Sequence, residues 1–278
     1  MKQILRNILL FGIATAMYVA CGDGSSSGVS SNGTLVKGEF TVARGKKVYF
    51  SRGNLQYQAS TNTWRFAEHQ WDYVGGDTYG TVYENGIKCN NKNISATYDG
   101  WIDNFGWGTS GFNGKYPYMT SKNNEDYGDG ENDIAGTNYD WGVYNKISNG
   151  GNKAGMWRTL TEDEWYYILH GRPHCEDLFS KGRVDGICGL ILLPDEWDYS
   201  IDFSPRSEEY KTNDYTLDEW NIMESHGAVF LTGSCWSSTH GFGCDNLASY
   251  FAFDITGTGI HRWHRYLREF VRLVRDVE

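Results

Sequence analysis

Between Thr239 and Arg268 the chain gathers side chains suited to making contact rather than to breaking bonds. His240, Phe242, Cys244, Asn246, Leu247, Ser249, His261, Trp263, His264 and Tyr266 are interleaved there with Arg262 and Arg265. Aromatic rings and guanidinium groups give large contact area for little lost side-chain freedom, which is the composition of a ligand-binding face. Within it, Tyr250, Phe251, Ala252 and Phe253 alternate, so one face of a strand at 249–253 is expected to point into the core. His240–Asn246 and His261–Tyr266 have no clean period and read as exposed loops.

Other chemistries have their residues but not their spacing. Cys235, His240, Cys244, His261 and His264 include zinc-ligand types, at irregular intervals that match no structural site. Gly106-Trp107-Gly108-Thr109-Ser110-Gly111 fits G-x-G-x-x-G formally, yet an indole sits in the turn and no apolar strand precedes it, so a dinucleotide loop is not expected. Asp126, Asp129, Glu131 and Asp133 could ligate calcium but miss the EF-hand positions, and a solvated loop is the favoured reading. Glu162, Asp163 and Glu164 fall in a first helical turn, where the macrodipole favours carboxylates, so helix capping is expected of them rather than acid–base work. His170 and His174 flank Gly171-Arg172-Pro173 and mark a helix exit. No catalytic residue, metal site or cofactor is expected.

Composition bounds the rest. The chain has 278 residues, 25 Lys and Arg against 35 Asp and Glu, and a formal charge of −10. No basic surplus exists to displace counterions from phosphates, so nucleic acid is not an expected partner. Lys2 and Arg6 precede an apolar run at 8–20 that is too short to span a bilayer comfortably and reads as the core of an export signal over 1–20. Residues 21–37, opening Gly22-Asp23-Gly24-Ser25-Ser26-Ser27-Gly28, read as a flexible tether. Besides Cys21, five cysteines remain: Cys89, Cys175, Cys188, Cys235 and Cys244. An odd number gives no complete disulfide framework, although Cys175–Cys188 or Cys235–Cys244 could pair.

The elements that would hold the contact segment are legible in part. Glu39–Val42 with Lys47–Phe50, and Leu55–Gln58 with Thr63–Phe66, read as hairpins. Gly75 to Asn152 has little periodicity, and Trp71, Trp101, Trp107 and Trp141 are its expected anchors. Thr161-Glu162-Asp163-Glu164 and Thr216-Leu217-Asp218-Glu219 are capping-box patterns that start two helices, the second stopped by Gly227. Gly189–Pro194 reads as a buried strand, and Ala228–Leu231, Ser249–Phe253 and Val271–Val274 as further strands. The expected class is α+β, one domain over 38–278 with antiparallel strands, two main helices and long loops.

Several segments resemble known families. Tyr18-Val19-Ala20-Cys21 resembles a bacterial lipobox, which implies lipidation at Cys21 and an exported protein held at the outer membrane or cell surface by its lipid alone. Trp157-Arg158-Thr159-Leu160-Thr161-Glu162-Asp163-Glu164-Trp165, Gly233-Ser234-Cys235-Trp236 and Val271-Arg272-Leu273-Val274-Arg275-Asp276 are similar to segments of formylglycine-generating sulfatase-modifying factors. Tyr49–Leu55, Trp101–Gly111, Trp141–Asn145, Gly189–Asp195, His226–Leu231 and Trp236-Ser237-Ser238 resemble Bacteroidetes surface lipoproteins of the same C-type-lectin-like fold, over roughly residues 38–276. That resemblance implies a C-type-lectin-like domain. The sulfatase-modifying relatives carry a catalytic cysteine pair just after their Gly-Gly-Ser-Trp segment. Here Cys235 lies inside the segment and Cys244 further on, so the enzyme activity is not expected. The sugar-binding triplets Glu-Pro-Asn and Gln-Pro-Asp of calcium-dependent lectins are also missing.

Many proteins of the second group look like the variable proteins of diversity-generating retroelements, in which a C-terminal stretch is rewritten at adenines of a template. Rewriting Asn codons cannot produce Met, Trp, Gln, Lys or Glu. Those types make up about 47 of the 278 residues, so about five would be expected from Thr239 to Arg268; Trp263 alone occurs. The resemblance therefore implies a variable region at 239–268 and a protein or surface ligand for it. A secreted enzyme related to the sulfatase-modifying factors, or a structural surface or fimbrial component, is the alternative.

Overall fold

The two helix starts form as their sequences require. In the computed structural model Thr161 Oγ1 accepts from the Glu164 amide at 3.2 Å, while the Glu164 carboxylate accepts from the Thr161 amide at 3.0 Å. Thr216 and Glu219 repeat the exchange at 3.4 and 2.8 Å, satisfying amides that the helix itself leaves without acceptors. Residues 35–74, 94–241, 246–254 and 257–278 are described, with the backbone alone at 82–84 and 87–89. Cys21, the leader, Phe242 and Cys244 lie outside the described residues. The tether expected to reach Lys37 ends sooner, because Val36 is buried and its amide donates to the Phe50 carbonyl at 2.9 Å.

The elements run β1 (Phe40–Ala43), β2 (Lys46–Phe50), β3 (Leu55–Gln58), β4 (Thr63–Phe66), β5 (Val82–Glu84), β6 (Ile87–Cys89), β7 (Trp101–Ile102) and β8 (Asn104–Phe105). Then come α1 (Trp141–Tyr144), β9 (Arg158–Thr159), α2 (Glu162–His170), β10 (Phe179–Val184), β11 (Ile187–Leu192), β12 (Asp214–Tyr215) and α3 (Leu217–Ser225). The chain finishes with β13 (Val229–Leu231), β14 (Cys235–His240), β15 (Leu247–Asp254), β16 (Gly257–His264), β17 (Glu269–Phe270) and β18 (Leu273–Asp276). The protein is mixed α+β, with three α-helices among the described residues and mostly antiparallel sheets; β10–β12 and β14–β17 are parallel pairs.

The sheet that carries the contact segment has the order β16-β15-β14-β17-β8. A second sheet, β1-β2-β18-β9, joins the start of the described chain to its end. Arg158 on β9 ties the second sheet to α2, with its guanidinium bonded to Glu164 at 2.7 and 2.9 Å and to Asp276 at 2.7 Å. Such paired, two-armed contacts hold direction as well as distance. Among the described residues no helix is long and apolar enough to cross a membrane.

Tryptophan burial organises the core. Trp107, Trp141, Trp157 and Trp236 lie in one apolar cluster, Trp165 in a second and Trp220 in a third. Of the four anchors expected in the loop-rich middle, Trp107 and Trp141 are fully buried, whereas Trp71 and Trp101 are half-buried. Trp101 is covered by the Arg65 guanidinium, 3.7 Å from its ring centroid, and Trp71 by the His69 ring, stacked at 4.7 Å. Gly106 and Gly108 serve packing, the first against the Tyr127 ring, which a Cβ there would meet at 2.3 Å. A Cβ on Gly128 would meet the Trp107 ring at 2.3 Å, and one on Gly108, with φ of 71°, would meet the Gly128 backbone at 2.7 Å. Trp107 itself is fully buried and donates its Nε1–H to the Ser237 carbonyl at 2.8 Å.

Candidate binding strand

Glu162, at the first turn of α2, positions the contact segment. Its amide donates to Thr239 Oγ1 on β14 at 2.9 Å, its carboxylate accepts the Ser249 hydroxyl on β15, and it accepts Arg262 Nη2 on β16 at 2.9 Å. One residue thus reaches three successive strands. Glu164 performs the capping exchange, so the capping role expected of Glu162 is corrected: its carboxylate is a strand clamp. On the same face Trp165 stacks on Phe251 with centroids 4.7 Å apart and 11° between planes. The α2 side of this sheet is therefore packed over Ser249 and Phe251 of β15.

The opposite face is open at one end. Register places Trp236 beside Tyr250, Tyr250 beside His261, and Ala248 beside Trp263. Their rings form a row, Trp236 to Tyr250 at 5.9 Å and Tyr250 to His261 at 5.7 Å, running from the buried core to the surface. Trp236 anchors the inner end by donating Nε1–H to the Phe105 carbonyl at 2.6 Å. At the outer end of this face His261 and Trp263 are exposed, Trp263 at 48%; Arg262 and His264, which alternate onto the α2 side, are exposed as well. Beyond the strand, Tyr266 is half-buried and stacks on His264 at 5.1 Å and 15°. Asn124 Nδ2 lies 3.0 Å from His264 Nδ1, and Asp133 accepts the His240 amide at 2.8 Å.

The sequence-based candidates divide sharply. His240 and Leu247 are half-buried, and Asn246 is exposed at the start of the β15 hairpin arm. Ser249, expected on the binding face, is fully buried because its side chain points under α2 toward Glu162. Arg265, read as part of the contact surface, is 1% exposed. Its guanidinium bonds the Leu247 carbonyl at 3.2 Å and the Gly130 carbonyl, 5.0 Å from the Trp107 ring. Arg268 is buried likewise, donating to the carbonyls of Pro117 at 3.2 Å and Met119. Both arginines hold the 117–130 loop against the sheet. The expectation of an exposed loop at His261–Tyr266 is corrected to a strand through His264. Because Ala248, Ser249, Phe251, Ala252, Phe253, Arg265 and Arg268 are all buried, only part of 239–268 can change freely.

The residues considered for other chemistry are placed apart or engaged. Cys235 is fully buried, with its thiol directed at the Gly233 carbonyl at 3.5 Å, and Cys175 and Cys188 are free thiols rather than a disulfide. In the acidic run, Asp126 accepts the Ser121 hydroxyl and Asp133 the His240 amide. Among the described residues no group of three or more His, Cys, Asp or Glu side chains stands close enough to hold a metal ion. A cavity of about 280 Å³ lies elsewhere, between the 201–204 segment, β12 and α3, with Tyr215 and Met223 in its wall. Two buried carboxylates carried no sequence signal. Desolvation pushes Asp140 up to about 6 although it accepts the Thr159 amide and hydroxyl and the Gly142 amide. Asp103, bonded to the Val74 amide and to Asn104, is pushed up to about 7 by the same cause. Both sit away from solvent, where they position loops.

Comparison with protein-family models, with curated proteins and with solved structures finds no match to this chain.

Proposed function

We propose that this protein is a lipid-anchored binding protein of the cell surface, with a C-type-lectin-like domain that presents the outer strand of its C-terminal sheet to a ligand. The observation that carries the reading is the division along β16 and its neighbours. His261, Trp263 and His264 face solvent on a strand whose partner, β15, is locked under α2 through Ser249 and Phe251. A rigid backbone with exposed rings loses little freedom on binding, and large flat side chains supply most of the energy in recognition surfaces. Tyr266 stacked on His264 extends the patch, with Asn246 adjoining Leu247, the register partner of His264, and His240 opposite Ala248. The ligand class is a protein or another surface molecule; no cofactor and no nucleic acid enters, and the membrane is met only through the lipid on Cys21.

Diversification of the strand belongs to the same proposal, narrowed by burial. Change would be concentrated at His240, Asn246, His261, His264 and Tyr266, and would spare Phe251, Phe253, Arg265 and Arg268. Trp263 cannot arise from a rewritten Asn codon and would be a constant part of the surface. Alanine replacement of His261, Trp263 and Tyr266 tests the binding reading: capture of ligand by cells displaying the protein should fall while the chain stays folded, its melting temperature lowered by only a few degrees. Loss of fold with loss of capture would overturn it. A near-repeat of codons 239–276 beside a reverse-transcriptase gene is the expected companion of diversification.

A further inference from the structure

We infer that β16 is an interface with a second copy of this chain: two β16 strands pair edge to edge and antiparallel about a two-fold axis at Ile260, each copy's Trp263 and His261 lying over the other's Gly257 and Gly259. The inference goes beyond the ligand-binding reading: in the pair His261 and Trp263 belong to the seam, and His264, Tyr266 and Asn246 are what is left for a ligand.

The first support is the edge. β16 is paired along its whole length to β15 on one side, and it ends the sheet among the described residues. Half of an edge strand's amide and carbonyl groups point outward, and a long unguarded edge is a template for another strand. Natural edges are blunted by proline, by lysine or by brevity. β16 has eight residues and contains neither proline nor lysine.

The second support is the pattern along the strand, which is bare at one end and bulky at the other. Gly257 and Gly259 stand on the same face as His261 and Trp263, since residues two apart share a face. A Cβ built on either glycine would meet no heavy atom within 4 Å, so the space above them is empty. His261 and Trp263 carry exposed rings on that face. Reversing a second strand about Ile260 places Gly259 opposite the partner's His261 and Gly257 opposite the partner's Trp263. Aromatic rings laid across from glycine shield the bare backbone and recover ring burial, a pairing that stabilises sheet edges.

The other face fits the same register. Ile260 meets the partner's Ile260, and Thr258 meets the partner's Arg262, so no like charges stand directly opposite. Arg262 already has Glu162 of its own copy as counter-ion at 2.9 Å. A slip by one residue would place His261 and Trp263 on the face opposite to the partner's, and the glycines would no longer be covered. His264, Tyr266 and Asn246 lie past the four covered positions, so a pair of copies would carry two such patches, one at each end of the β16 seam in the middle of one continuous ten-stranded sheet, twice the five strands of each.

Sedimentation equilibrium of the full-length chain in an excess of detergent micelles, with hydrogen exchange on the same samples, tests the inference. The expected result is a monomer–dimer equilibrium in which amides of β16 gain protection as concentration rises. Trp263→Lys should weaken the dimer about tenfold or more, by removing the ring and setting a charge on the edge, whereas Tyr199→Lys, an exposed position outside this sheet, should leave it unchanged. A chain that stays monomeric throughout overturns the inference. So does a dimer whose protection falls outside β16, or one that Trp263→Lys leaves intact.

Discussion

Trp263→Ala and Trp236→Ala place the same change at the two ends of one aromatic row and should differ severalfold in cost. Trp263 is 48% exposed. A fully covered indole buries up to about 250 Å², so truncation there uncovers roughly half of that, and at ~25 cal/mol/Å² the loss is at most about 3 kcal/mol. The unfolded chain already covers part of this area, and a site open to solvent leaves no cavity, so about 1 kcal/mol is expected. Trp236 is fully buried and donates to the Phe105 carbonyl at 2.6 Å. Its removal leaves a cavity and an unpaired carbonyl, for a cost of about 4–5 kcal/mol. Urea titrations followed by far-ultraviolet circular dichroism measure both, at concentrations low enough that association adds nothing. Equal costs would refute the reasoning, because Trp263 would then belong to the core and the strand could present nothing.

Arg262→Met and Arg265→Met, three residues apart, should behave as opposites. The first loses a half-exposed ion pair at a cost of under about 1 kcal/mol, while the second takes the buried guanidinium from the Gly130 carbonyl and leaves the Leu247 carbonyl with the Gly241 amide alone, at about 2–4 kcal/mol; denaturant midpoints of the two variants check it. Glu162→Gln should cost about 1–2 kcal/mol and speed amide exchange in β15 and β16 before it speeds exchange in β11, since it frees Ser249 and Arg262 together. Asp103 and Asp140, raised by burial to about 7 and about 6, hold their protons in the folded chain at pH values where the unfolded chain has lost them. Their contribution is complete below about pH 4 and is lost as pH rises to about 7, by roughly 3 kcal/mol for Asp140. Asp140→Asn should therefore narrow the stability difference between pH 4 and pH 7 relative to wild type, and parallel pH curves would contradict the assignment. Replacement of Cys21 by Ser should abolish labelling by a radioactive fatty acid and release the protein from membranes.

What could be read in advance was local. The capping boxes at Thr161 and Thr216, the two N-terminal hairpins and the apolar run in β11 depend on residues within a few positions of each other, and all formed as expected. Arg265 could not be read, because its burial depends on carbonyls of Leu247 and Gly130 that reach it only through the tertiary fold. Glu162 was legible as a first-turn acid and hidden as a clamp, since Ser249 and Arg262 lie 87 and 100 positions away. The strand at 257–264 lacked alternation for a physical reason: both of its faces reach solvent at the His261–His264 end, so no face selects apolar residues. An edge strand is least visible to periodicity where it is most available for binding.

That same property links the scaffold to its proposed use. A loop could offer exposed rings, but its backbone would have to be ordered on binding, at roughly 1–2 kcal/mol per residue. In β16 the ordering is done in advance by eight paired positions on β15, and β15 is held from beneath by Trp165 and Glu162. Under the proposed diversification, side chains at 261 and 264 would be exchanged against a fixed backbone beside a constant Trp263, provided that Ser249, Phe251 and Arg265 stay as they are. The boundary between what may vary and what must remain therefore runs inside the 239–268 segment, between adjacent residues, and follows the alternation of β15 rather than the limits of the segment.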